Sequence, residues 1–239
     1  MDKKMTVIVI IMIVISFMTT SCGNHPSFAR PWTDSEQVSL DDAESVEVEI
    51  MMWAGELNVE SGTDLLMEGN FTFSRLAYGP DVSYRVGEDG VGILKVEQEE
   101  TPGVQVNSNY KNEWNLVFNG QVPLKMDLVL SAGESVLDLG GLNLQDFSLK
   151  MGAGAAYVDL TGDYQDDLEV NIEGGVGKLT LVLPSEMRIE AEVNGGLGAI
   201  TADGLVREGD RYTSSYEGSG PVLRIHIDGG IGEINLRVR

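Results

Sequence analysis

The chain has 239 residues, 42% hydrophobic and 23% charged, a composition that excludes a disordered chain and leaves room for one domain or two small ones. Sixteen Lys and Arg against 38 Asp and Glu give a formal net charge of −22, which argues against nucleic acid and anionic lipid surfaces as partners. A single cysteine excludes a disulfide framework.

The N-terminus reads as a targeting segment. Lys3 and Lys4 precede an apolar run, Met5 to Met18, broken only by Thr6 and Ser16. A bilayer span needs about 20 apolar residues, so the run is short for one and suits a signal-peptide core. It leads into TTSCG, where Ser21 precedes Cys22. The segment resembles a bacterial lipobox, with Thr19 standing where Leu is usual. The expectation is a lipoprotein signal peptide over residues 1–21 and a lipid on Cys22, which would place the protein outside the cytoplasm on the bacterial membrane. An uncleaved anchor and plain secretion are the alternatives. Residues 22–43, with Pro26 and Pro31 and no alternation, are expected to be a flexible tether.

Residues 44–131 are expected to form a β-rich N-terminal part. Trp53-Ala54-Gly55 reads as an early corner, and SYRV at 83–86 and ILKVEQ at 93–98 flank a Gly-rich turn. WNLVF at 114–118 and PLKMDLVLS at 123–131 lead on as further strands. Over residues 132–239 the chain repeats. Gly133, Gly154, Gly175 and Gly196 are 21 residues apart, and Gly230 follows after 34. Leu137, Val158, Leu179, Ile200 and Ile234 share one position of this repeat. Leu130, Met151, Ile172, Val193 and Ile227 share a second, and Leu128, Leu149, Val170, Ala191 and Ile225 a third.

Within each unit apolar and polar residues alternate, as in RIEAEVN at 188–194 and LRIHI at 223–227, the mark of half-buried strands. Each unit is then strand, glycine corner, strand. The spacing predicts an all-β fold, a two-sheet β-solenoid with rungs of about 21 residues that complete one another's core; an antiparallel meander is the rival. The longer last interval places an insertion at about 206–220, expected as a surface loop. Its Arg207, Asp210, Arg211, Tyr212 and Tyr216 are the candidate binding residues.

AGELNV at 54–59, LLMEGNFTF at 65–73, LKVEQ at 94–98, WNLVFNGQVPLKMDL at 114–128, AGESVLDLGGLNL at 132–144 and the GG-x-G corners resemble the toast-rack family of bacterial cell-envelope proteins. They are similar to the C-terminal region of LiaF-type cell-wall-stress regulators. The resemblance covers roughly residues 46–239 and implies a rack-like domain facing outward from the membrane, with little chemistry. LiaF-type proteins carry membrane-spanning helices before this domain, where this chain has a lipobox-like cysteine.

Catalytic motifs are not legible. GGVGK at 174–178 is too short for a phosphate-binding loop, and Leu179 stands where Ser or Thr is needed. His25 falls in the tether, and His226 alternates outward with Arg224 and Asp228, so no zinc set forms. Asp163, Asp166, Asp167 and Glu169 cluster at a turn between rungs, where a solvated acidic turn is favoured over a weak Ca²⁺ site. No catalytic residue, cofactor or metal site is expected. The function expected is a non-enzymatic, lipid-anchored envelope module that binds an envelope protein or cell-wall partner, senses envelope stress or serves as a scaffold. A self-associating structural or adhesin-like surface protein is the alternative, ahead of a carbohydrate-active enzyme.

Overall fold

A computed structural model describes residues 31–74, 79–98 and 110–239; the apolar run, Cys22 and His25 lie outside the described residues. Among the described residues there are fifteen strands and no helix. In chain order they are β1 (Trp32–Val38), β2 (Ser45–Ser61), β3 (Met67–Phe73), β4 (Pro80–Val86), β5 (Val91–Gln98), β6 (Asn112–Phe118), β7 (Leu124–Asp138) and β8 (Leu144–Asp159). There follow β9 (Leu168–Leu183), β10 (Arg188–Asn194), β11 (Leu197–Asp203), β12 (Leu205–Glu208), β13 (Arg211–Ser214), β14 (Val222–Asp228) and β15 (Ile231–Val238).

Four strands, β2, β7, β8 and β9, are 15 to 17 residues long because each carries two apolar-alternating halves joined at a glycine. The bend falls at Gly55, Gly133, Gly154 and Gly177, which hold φ between +132° and +149°. These glycines are in register on neighbouring strands. A Cβ on Gly154 would collide with the carbonyl oxygen of Gly133, and one on Gly177 with that of Gly154, so only glycine lets the rungs stack at the corner.

Before the bend the halves build a first sheet in the order β4-β5-β2-β7-β8-β9-β14-β10-β13-β12. After it they build a second, β1-β3-β6-β2-β7-β8-β9-β15-β11. The stacked rungs pair in parallel, and β1, β3, β4, β12 and β13 add antiparallel strands at the ends.

The core lies between the sheets in continuous rows. Ile50, Leu128, Leu149, Ile172, Ile227 and Val193 form one row of the first sheet, all buried. Val59, Leu137, Val158, Leu181 and Leu236 form a buried row of the second, which ends on Ala202. Each large aliphatic side chain removed from water contributes about 1.5–3 kcal/mol, so the rows together hold the two sheets. At the N-terminal end of the corner the polar backbone is closed by side chains. Gln98 Oε1 accepts the Trp53 N–H at 2.9 Å, Asn112 Nδ2 donates to the Ala54 carbonyl at 2.8 Å, and Trp114 Nε1 donates to Asn112 Oδ1 at 2.8 Å.

Three expectations need correction. The rungs do not keep a 21-residue step: between β8 and β9 it becomes 23, pairing Gly154 with Gly177, not Gly175. The slip is by two residues. An even slip leaves every side chain on its own face, so the alternation stays intact while Leu149 meets Ile172 instead of Val170. Spatial order also departs from chain order, since β14 and β15 fill the place between β9 and the pair β10 and β11. Gly175 and Gly196 are therefore separated by Gly230, and these three form a second glycine file beside the first. Third, the stretch expected as a tether ends in structure: β1 pairs with β3 in seven-residue register, Trp32 against Phe73 through Val38 against Met67.

Candidate ligand groove

The outer face of the first sheet carries the polar residues that alternate with the core rows. Where β9, β14, β10 and β13 lie side by side, the register sets Glu169, Arg224, Glu190 and Thr213 in one row. Asn171, His226, Glu192 and Arg211 form the next. Together they line an open groove of about 580 Å³. One wall comes from β13, which exists only because of the insertion.

Several of these side chains are held in place. Asp167 Oδ1 accepts the Val222 N–H at 2.8 Å, and its Oδ2 accepts Arg224 Nη1 at 2.8 Å. These two bonds, the backbone one first, hold the Asp167 carboxyl below the usual carboxylate range. Arg188 Nε pairs with Glu190 Oε1 at 3.3 Å, and His226 Nε2 lies 3.2 Å from Asp228 Oδ2. The carboxylates of Glu169 and Glu192 and the guanidinium of Arg211 make no hydrogen bond or ion pair with another described residue. The groove thus offers fixed charges of both signs on a rigid sheet, suited to binding a polar partner.

The insertion is a β-hairpin, not an open loop: β12 pairs with β13, and β13 extends the first sheet beside β10. Of its candidate residues, Arg211 reaches the groove. Tyr212 faces the other way, buried opposite Ala191, with its hydroxyl unpaired. Arg207 lies 5.3 Å from the centre of the Tyr212 ring and donates through Nε to the Gly209 carbonyl at 2.9 Å. Asp210 joins through its backbone, its carbonyl accepting the Val193 N–H at 2.9 Å. Tyr216 is half-buried over Gly218. The acidic turn is partly engaged as well, Asp167 by Arg224 and Asp163 Oδ1 by Gln165 Nε2 at 3.2 Å. Among the described residues no group of three or more His, Cys, Asp or Glu could hold a metal ion.

The sequence marks Glu190, Glu192, Arg224 and His226 as outward, but not as one site. Their meeting depends on β14 lying between β9 and β10, which no spacing announces.

A two-sheet rack of parallel rungs with a polar groove on one face defines an all-β surface module. The chain belongs to the toast-rack family: the model of the N-terminal domain of toast_rack, DUF2154, matches residues 29–182. The crystal structure of a candidate cell adhesion protein from Clostridium sporogenes is similar over 88% of this chain and 100% of its own, at 30% identity and a TM-score of 0.82. A candidate adhesin from Bacteroides fragilis aligns over 87% of this chain and 97% of its own, at 13% identity and a TM-score of 0.38. No curated protein matches the chain.

Proposed function

We propose that this protein is a non-enzymatic binding module of the bacterial cell envelope, held outside the membrane by a lipid on Cys22, that takes a protein or cell-wall partner in the groove on its first sheet. The observation that carries this reading is the groove itself: the Glu192 carboxylate and the Arg211 guanidinium stand on strands fixed by core rows with no hydrogen bond or ion pair to another described residue, beside Glu169, which faces Arg224. The family and the similarity to a candidate cell adhesion protein support an extracytoplasmic surface role. Binding on a rigid scaffold needs only such outward groups, whereas catalysis needs a nucleophile and base in mutual reach.

The test is photo-crosslinking in living cells, with the probe at Thr213 in the groove or at Glu47 on the far part of the same sheet. The partner is expected from Thr213 only, and its capture should fall about tenfold in Glu192→Lys/Arg211→Glu. Equal capture from both positions would sink the groove as the site. Cys22→Ala should release the protein from membranes or leave it unprocessed, and lipid labelling that persists in that variant would put the anchor elsewhere.

A further inference from the structure

The two sheets end differently. Beyond β10 the first sheet is closed by the hairpin, with Tyr212 laid opposite Ala191, and both residues are buried. Beyond β11 the second sheet has no further strand among the described residues. The core rows show the consequence. Ala156, Leu179 and Ile234 are buried, yet Ile200, next in the same row, is half-buried. Val158, Leu181 and Leu236 are buried, and Ala202 after them is half-buried. An apolar cavity of about 70 Å³ opens there among Ile227, Ile234, Ile200 and the corner glycines. The corner is also uncovered: Leu197, first residue of β11, is 74% exposed, while the opposite end of the corner is closed by Gln98 and Asn112.

Natural sheets guard open edges with charge or proline. The other end strands do so: Asp34 and Glu36 in β1, Pro80, Asp81 and Arg85 in β4, Arg207 and Glu208 in β12. The β11 sequence, LGAITAD, has one charge, Asp203, at its last position. A net charge of −22 keeps copies apart over most of the surface, and this edge is where almost no like charge is set against a second copy. A cationic partner, which the overall charge would favour, finds only Asp203 to meet.

We propose that two copies of this chain pair antiparallel through β11, joining their second sheets into one. A two-fold axis centred on Ile200 sets Ala199 against Thr201 of the other copy and Gly198 against Ala202. The two Asp203 carboxylates then stand about 20 Å apart, roughly two Debye lengths at physiological salt. The second copy supplies the missing strand and covers Ile200 and Ala202. The contact lies on the edge of the second sheet, whereas the groove lies on the outer face of the first.

Sedimentation of the full chain in detergent tests it. The wild type should pass from monomer to dimer as concentration rises. Ala199→Lys/Thr201→Lys puts lysine against lysine in any register centred on these positions and should raise the dimer dissociation constant about tenfold or more. Both positions are exposed, but the Thr201 hydroxyl donates to Asn235 Oδ1 in the same copy, so the lysine variant is read beside Thr201→Val, which loses that bond without adding charge and should keep the dimer. Ala199→Ser/Thr201→Ser should keep the dimer. A wild type that remains monomeric throughout, or a dimer indifferent to the lysines, overturns the proposal. Amide exchange gives a reading without a variant: β11 amides should slow as wild-type concentration rises, and exchange that ignores concentration overturns it equally.

Discussion

Tyr212 shows how a residue type misleads when its direction is unknown. In a polar insertion it reads as a binding aromatic, yet it is 1% exposed and packed in the core, its hydroxyl without a partner. A buried unpaired hydroxyl costs about 1–3 kcal/mol, while the ring contributes by burial. Tyr212→Phe should therefore match or exceed wild-type stability, and Tyr212→Ala should lose about 3–5 kcal/mol in denaturant melts. A Phe variant less stable than wild type would mean that the hydroxyl is satisfied in solution. Asp167 makes the opposite case, a residue of the acidic turn whose carboxylate is used. Its pKa lies below the ordinary value, so the stability it adds is full above about pH 4 and is lost as pH falls through the depressed value. Melting temperatures of wild type and Asp167→Asn should differ at neutral pH and converge in acid. A gap that persists at low pH would assign the effect to something other than ionisation.

At the scale of elements, the last rung is the informative one. β14 lies between β9 and β10, and β15 between β9 and β11, so a C-terminal segment occupies the interior of both sheets. The chain end is fastened too: Arg239 donates its N–H to the Leu183 carbonyl at 2.9 Å and accepts from Ser185 N at 2.7 Å. Amide exchange should place β14 and β15 with β7, β8 and β9 among the slowest strands, and β12, which pairs on one side only, among the fastest. Rapid exchange in β14 would mean that the rung sits at an end, as chain order alone suggests. The insertion has an architectural reason here. Its hairpin closes the far side of β10 before the chain returns to fill the place beside β9.

For the whole molecule, charge and packing oppose each other. The chain carries −22, and without Asp2, Lys3, Lys4 and Arg30 the compact unit Pro31–Arg239 carries −24, which strains the folded state by self-repulsion. The described ion pairs are partly exposed, including Lys150–Glu173 at 3.1 Å and Lys178–Glu233 at 3.3 Å, and each adds at most about 1 kcal/mol. Screening should therefore help more than it harms, and the melting temperature should rise as salt goes from low to physiological strength. A fall would show that attractive pairs outweigh the net repulsion.

The all-β class, the two-sheet rack, the early corner at Gly55 and the inward or outward face of the alternating rung strands were legible in the sequence, whereas β1, β12 and β13, and with them the inward face of Tyr212, were not. Alternation and glycine spacing are local signals, and a strand's face is set by period two alone. The register between β8 and β9, the insertion of β14 and β15 inside the stack, and the assembly of Glu169, Arg224, Glu192 and Arg211 into one groove were decided by tertiary structure. A two-residue slip changes no face and leaves no mark on periodicity. The order of parallel rungs depends on which edge the returning chain can bury, and that edge exists only once the earlier rungs have stacked.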